Sequence, residues 1–176
     1  MATMNLTWPT RFTAFLLVIG LIAGTLTVSA DEQPAVTVAN ADSVGPRTLE
    51  PQTRTAVVRD YLAAWQSLNR ASDENNAALL DADFTGIARE KLSDTIDDQQ
   101  KLGVRTRYQD GKHNIKLVFY SPEGLSIQLL DMMEYDLQIL DHDKPLATQH
   151  IRAQYLAVLT PTEVRWKVRI LQSTPQ

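Results

Sequence analysis

Apolar positions along this chain change their spacing at Gly103, and the change divides its C-terminal part in two. From Thr53, the residues Val57, Val58, Tyr61, Leu62, Trp65 and Leu68 recur at three- and four-residue steps, which is one face of a helix that has to be buried. Ser72 ahead of Asp73 and Glu74 reads as an N-cap with acids in the first turn, where the helix dipole favours them. It predicts a second, short helix containing Leu79 and Leu80. Ala88, Leu92, Ile96 and Leu102 form the stripe of a third helix over Ile87–Leu102, stopped by Gly103.

Beyond Gly103 the period becomes two. Strands are expected at Val104–Gln109, Ile115–Ser121, Leu125–Leu140, Pro145–Thr160 and Val164–Leu171, divided by turn-forming stretches at Asp110-Gly111-Lys112, Ser121-Pro122-Glu123-Gly124, Asp141-His142-Asp143-Lys144 and Thr160-Pro161-Thr162-Glu163. Such short connections make neighbouring strands antiparallel. The expected fold class is therefore α+β, with three N-terminal helices covering one face of a five-stranded antiparallel sheet.

The strands also declare their faces. The drier side of the third carries Leu125, Ile127, Leu129, Asp131, Met133, Tyr135, Leu137 and Ile139, and that of the fourth Ile151, Ala153, Tyr155, Ala157 and Leu159. In the last strand Val164, Trp166, Val168 and Ile170 alternate with Arg165, Lys167 and Arg169. A one-residue slip would turn every side chain over, so joining the two dry faces across the Asp141 hairpin needs an odd loop. A three-residue loop sets Glu134 opposite Arg152 and Asp136 opposite His150, two favourable outer-face pairs.

Residues 1–30 have a different character. One cation, Arg11, precedes an apolar run from Phe12 to Ala23, and Val28-Ser29-Ala30 supplies the small residues of a signal-peptide cut, expected between Ala30 and Asp31. The alternative is an uncleaved membrane anchor over residues 12–28, close to the shortest length that spans a bilayer. Residues 31–52 hold three prolines and no sustained apolar period, and read as an exposed linker in which Ala35–Val38 is the one weakly signalled strand. The domain itself is expected over 53–176.

Composition removes several functions. The 176 residues include no cysteine, which excludes disulfides, thiolate metal sites and a thiol nucleophile. With 17 Lys and Arg against 21 Asp and Glu, the chain lacks the basic surface of a nucleic-acid binder. There is no phosphate-binding glycine loop, Gly-x-Ser-x-Gly elbow or His-Glu-x-x-His pair, so no cofactor and no metal is expected.

Helices followed by a long sheet, with Tyr61-Leu62-Ala63-Ala64-Trp65 and a short Leu79-Leu80 helix at the start, resemble the opening of the NTF2-like (cystatin-like, SnoaL-type) superfamily. Arg165-Trp166-Lys167-Val168-Arg169-Ile170 is similar to its closing strand. The resemblance covers about residues 52–174 and implies a curved sheet, a conical pocket between the first helix and the concave face, and dimerisation through the convex face. It implies no single reaction, because the superfamily includes isomerases, dehydratases, hydrolases and polyketide cyclases beside domains without catalysis. None of those complete catalytic sets can be laid onto this chain residue by residue.

Asp131 is the one carboxylate on the dry face, and burial between Leu129 and Met133 is a setting in which a carboxylate becomes a general base; the alternative is a structural role, with Asp131 satisfying a buried backbone group or tyrosine hydroxyl, or turned outward by a bulge after Leu130. Tyr135 and Tyr155 are candidate hydroxyl donors beside it, and Tyr61, Trp65, Met133 and Trp166 complete the expected pocket. His142, at a hairpin tip, and His113, after Asp110-Gly111-Lys112, read as polar turn residues, while Asp94, Asp97 and Asp98 read as a solvated helix face. The leading expectation is an exported, non-catalytic domain that binds a small apolar ligand or a protein partner, or that pairs as a homodimer through the sheet. The alternatives are a small-molecule isomerase or lyase with Asp131 as base, and an envelope scaffold held at the membrane by residues 12–28.

Overall fold

The computed structural model describes residues 35–39 and 44–175 of the chain. The expected signal or anchor over 1–30 and its cut at Ala30 lie outside the described residues. Helix α1 is Pro51–Asp73, opened by proline, whose fixed φ suits the first turn and whose missing N–H is no loss there. Its buried face carries Val57, Tyr61, Ala64, Trp65 and Leu68, at the spacing the sequence shows.

Two helices are present among the described residues, not three. Ser72 does not cap a second helix: it is buried in the last turn of α1, where its carbonyl accepts a hydrogen bond from Gln99 Nε2 at 2.6 Å. The chain then makes a single 3₁₀ turn, Ala77–Leu80, capped by the Asn76 side chain through Ala78 N–H at 3.2 Å. Helix α2, Gly86–Lys101, buries Ala88 and Ile96, while Leu102 beyond its end is exposed.

The sheet holds β1 (Ala35–Val38), β2 (Arg105–Tyr120), β3 (Ile127–Asp141), β4 (Lys144–Pro161) and β5 (Trp166–Pro175), paired in that order. It is mixed rather than wholly antiparallel, because β1 runs parallel to β2 with Ala35 opposite Lys112. The first two expected strands are one. Asp110-Gly111 does not reverse the chain but bulges it: Gln109 faces Asp136, Lys112 faces Glu134, and the two residues between oppose Tyr135 alone. Asp110 takes φ 54°, so the residue types that suit a turn here serve a bulge.

Across the β3–β4 hairpin Glu134 does face Arg152, and Asp136 faces His150. The expected three-residue loop is instead a two-residue turn, His142-Asp143, with the extra residue, Leu146, in a bulge between Ile139 and Leu140 of β3 and their partners. Parity is preserved, and parity is what the dry faces require. A further bulge at Arg169 sets Ile170 opposite Val158 and Val168 opposite Leu159, so Leu171 rather than Ile170 joins the core. Val164 lies before β5 and is exposed.

The stretch expected as a free linker is partly docked. Besides β1, Val44 and Leu49 are buried in the main apolar cluster. Helices and sheet are joined at β5, where Val168 N–H donates to Asp83 O at 2.8 Å and Thr85 N–H to Val168 O at 2.9 Å. Trp166 N–H adds a bond to Asp60 Oδ2 at 2.8 Å.

Candidate functional site

Between α1 and the inner face of the sheet lies a cavity of about 670 Å³, within the range of small-molecule sites. Leu62, Trp65 and Asn69 of α1, Tyr108, Gly111 and His113 of β2, and Met133 and Tyr135 of β3 line it. Its lining also includes the charged side chains Asp110, Lys112 and Asp136, and His150. The wall is therefore aromatic in one part and charged in another, not apolar throughout.

His113 is the residue that the sequence pattern misplaces. Because Asp110-Gly111 is a bulge and not a turn, β2 continues through His113, which is 4% exposed on the dry face with Ile115 and Leu117. Its Nδ1 lies 2.6 Å from Asp131 Oδ2. Asp131 is fully buried, as the period of β3 requires, and takes two further donors: Tyr61 O–H to Oδ2 at 3.1 Å and Asn114 N–H to Oδ1 at 3.1 Å. A helix and two strands thus converge on one carboxylate. With the carboxylate accepting, Nδ1 carries a proton, and in the neutral ring Nε2 is then the acceptor. Nε2 makes no hydrogen bond among the described residues, and the ring lines the cavity.

Aromatic rings surround this pair. Trp65 is the hub, with ring centroids 4.9 Å from Tyr155, 5.8 Å from His113, 6.0 Å from Tyr108 and 6.4 Å from Tyr135. The Tyr135 and Tyr155 hydroxyls are 2.8 Å apart. Burial, and then the neighbouring Asp131 charge, push the Tyr61 phenol well up. Burial also pushes Tyr108 up to about 12, and raises Tyr155 and Tyr135; the bond between the last two raises Tyr155 further and draws Tyr135 back. All four phenols keep their protons near neutral pH, and within the Tyr135–Tyr155 pair one hydroxyl donates to the other.

The expected pocket residues fall into three groups. Trp65, Met133 and Tyr135 line the cavity, whereas Tyr61, Asp131 and Tyr155 stand behind its wall and act through His113, Trp65 and Tyr135. Trp166 is outside it: its backbone is pinned by Asp60 and its ring packs edge-on against Tyr120 at 6.4 Å. Asp131 therefore does not line the cavity, whereas its partner His113 does. The signal that would have found it is the period of Ile115 and Leu117, carried one step back.

No family model and no curated protein matches the sequence. Solved structures do match in three dimensions. The intermembrane space region of the chloroplast protein ARC6 superposes with a TM-score of 0.57 at 14% identity, over 74% of this chain and 100% of that one. A provisionally assigned scytalone dehydratase from Novosphingobium aromaticivorans gives 0.53 at 14% identity, over 72% and 89%. ActVI-ORFA from Streptomyces coelicolor gives 0.50 at 16% identity, over 69% and 96%. At such identities the likeness is one of fold.

Proposed function

We propose that this chain, whose fold is the NTF2-like α+β cone, binds a small molecule with a flat, largely apolar body in the cavity and hydrogen-bonds it through His113. The observation that carries the reading is the pair itself: an imidazole at the cavity wall whose inner nitrogen is held 2.6 Å from a fully buried carboxylate. Trp65, Tyr108 and Tyr135 supply flat apolar surface for the body. His113 Nε2 supplies a fixed acceptor for a ligand hydroxyl, with its orientation set before the ligand arrives.

The same pair favours a second reading, proton transfer. An imidazole oriented by a carboxylate through Nδ1 is arranged to take a proton at Nε2, as the base step of a lyase or isomerase requires. In that case Asp131 is a positioning residue and His113 the base, which changes the expectation that Asp131 itself is the base. The proposal also includes export, supported by the sequence pattern of residues 1–30, and a homodimer through the outer face of the sheet. Native mass spectrometry of the exported protein reports both, as a mature chain beginning at Asp31 and as a doubled mass; a full-length chain or a monomer at every concentration contradicts the corresponding part.

Calorimetric titration with 2-naphthol, a flat aromatic alcohol, tests the binding. Saturable one-site heat is expected, with affinity several-fold weaker in His113→Gln; equal affinity in the variant, or no saturable heat, contradicts the proposal. Proton transfer predicts that a ligand C–H exchanges for deuterium in heavy water and that His113→Gln abolishes the exchange. Binding without exchange leaves the first reading and removes the second.

A further inference from the structure

We infer that Gly111 shapes the polar subsite of the cavity: its bare Cα leaves open the space beside His113 Nε2 into which the ligand's hydrogen-bonding atom fits. The inference rests on the ligand-binding reading above. Gly111 is the second residue of the β2 bulge and lines the cavity together with His113. A Cβ there would lie 3.3 Å from Met133 Cε and 3.9 Å from His113 Nε2, the one imidazole nitrogen that Asp131 does not hold.

The backbone does not ask for glycine at this place. Gly86, Gly103 and Gly124 have φ of 53°, 71° and 75°, a region that side chains avoid, but Gly111 is not among the residues with positive φ. What its missing side chain provides is room. A methyl at this position would press on the terminal methyl of Met133, the far end of a flexible side chain that can give by a few tenths of an ångström, so alanine is compatible with the fold. The same methyl, in van der Waals contact with Nε2, fills the place of a ligand oxygen or carbon that has to come within roughly 3 Å of that nitrogen. Gly111 thus decides whether a hydroxyl or an acidic C–H can reach His113.

Diethyl pyrocarbonate, a small electrophile that acylates an unprotonated imidazole nitrogen, reads this opening in the purified full chain. Peptide mass spectrometry follows His113, with the exposed His142 as internal control. His113 is expected to react in the parent protein, and Gly111→Ala to slow it several-fold while the His142 rate stays the same. Gly111→Ala/Met133→Ala removes the neighbour that the new methyl presses on, and is expected to remain slow because the methyl still stands beside Nε2. If Gly111→Ala disturbs the near-ultraviolet circular dichroism, the double variant decides in its place. An unchanged His113 rate in both variants overturns the role of Gly111 and leaves ligand binding at His113 standing. A parent protein in which His142 reacts and His113 does not overturns both.

Discussion

Two histidines on opposite faces of one sheet each meet an aspartate of β3 at nearly the same distance. His113 Nδ1 is 2.6 Å from Asp131, and His150 Nδ1 is 2.7 Å from Asp136. The aspartates are an odd number of residues apart on the strand, which sends one into the core and the other out. The inner pair has side chains 3% and 0% exposed, the outer pair 61% and 38%. Inside, water cannot replace a lost partner, so removing one group strands the rest. Outside, water and salt compete for every bond, and Glu134, at 3.0 Å from His150 Nε2, already offers a substitute acceptor. Equal distances therefore stand for unequal energies: His113 and His150 both line the cavity, but only the inner pair, closed to water, holds its ring in one fixed orientation.

Substitutions can break this contrast, the largest effect first. Asp131→Ala leaves the His113 ring, the Tyr61 hydroxyl and the Asn114 amide without their acceptor, and should destabilise the domain by about 3–5 kcal/mol in urea unfolding. A loss below about 1 kcal/mol would make the inner pair no more than a surface pair. Trp65→Ala removes the ring around which five other aromatic groups of the site pack, should cost a similar amount, about 3–5 kcal/mol, and should abolish 2-naphthol binding in the fraction that stays folded.

Tyr61→Phe is a smaller change, because Asp131 keeps two donors. About 1–2 kcal/mol is expected from the lost hydrogen bond, with the His113 bond retained. Gly124→Ala is a control away from both pairs: with φ 75° and Arg47 Nη1 2.6 Å from the added carbon, it should cost about 1–2 kcal/mol and leave naphthol affinity unchanged.

The outer pair is sharpened by pH. Bonds to Asp136 and Glu134 raise the His150 imidazole above its ordinary 6.5, so its contribution is complete below that value and fades as pH rises through the raised one. The bond to His150 lowers Glu134 from its ordinary 4.5, so the carboxylate contributes above that value and the contribution fades as pH falls through the lowered one. His150→Gln should lower the urea midpoint slightly below pH 6.5, where the contribution is complete, and leave it unchanged on the alkaline side, so that the shallow decline between the two disappears. A steep decline that survives the substitution would belong to another group.

The long elements were legible because one period runs through each of them. Val57, Tyr61, Trp65 and Leu68 mark α1, and the alternation of β3 and β4 set a register in which Glu134 meets Arg152. Asp131 was legible for the same reason, as the one acid in an apolar row. The errors share a cause as well: Asp110-Gly111, Ser72-Asp73 and the Asp141 hairpin carry residues that suit a turn, a cap or a bulge equally, and tertiary packing chooses among them. That choice hid His113, since a turn would have pointed it to solvent. The docking of Val44 and Leu49 was hidden too, because isolated apolar residues between prolines have no period to read.

The central claim is that Asp131 holds His113 with its Nε2 lone pair turned to a ligand. Long-range ¹H–¹⁵N correlation of the histidine rings, recorded with and without 2-naphthol, observes that nitrogen. His113 is expected to be protonated at Nδ1 with a bare Nε2, and naphthol to shift Nε2 of His113 while leaving His142, outside the cavity lining, unchanged. A proton on Nε2 in the free protein, or a naphthol complex in which the His113 signals do not move, would contradict it.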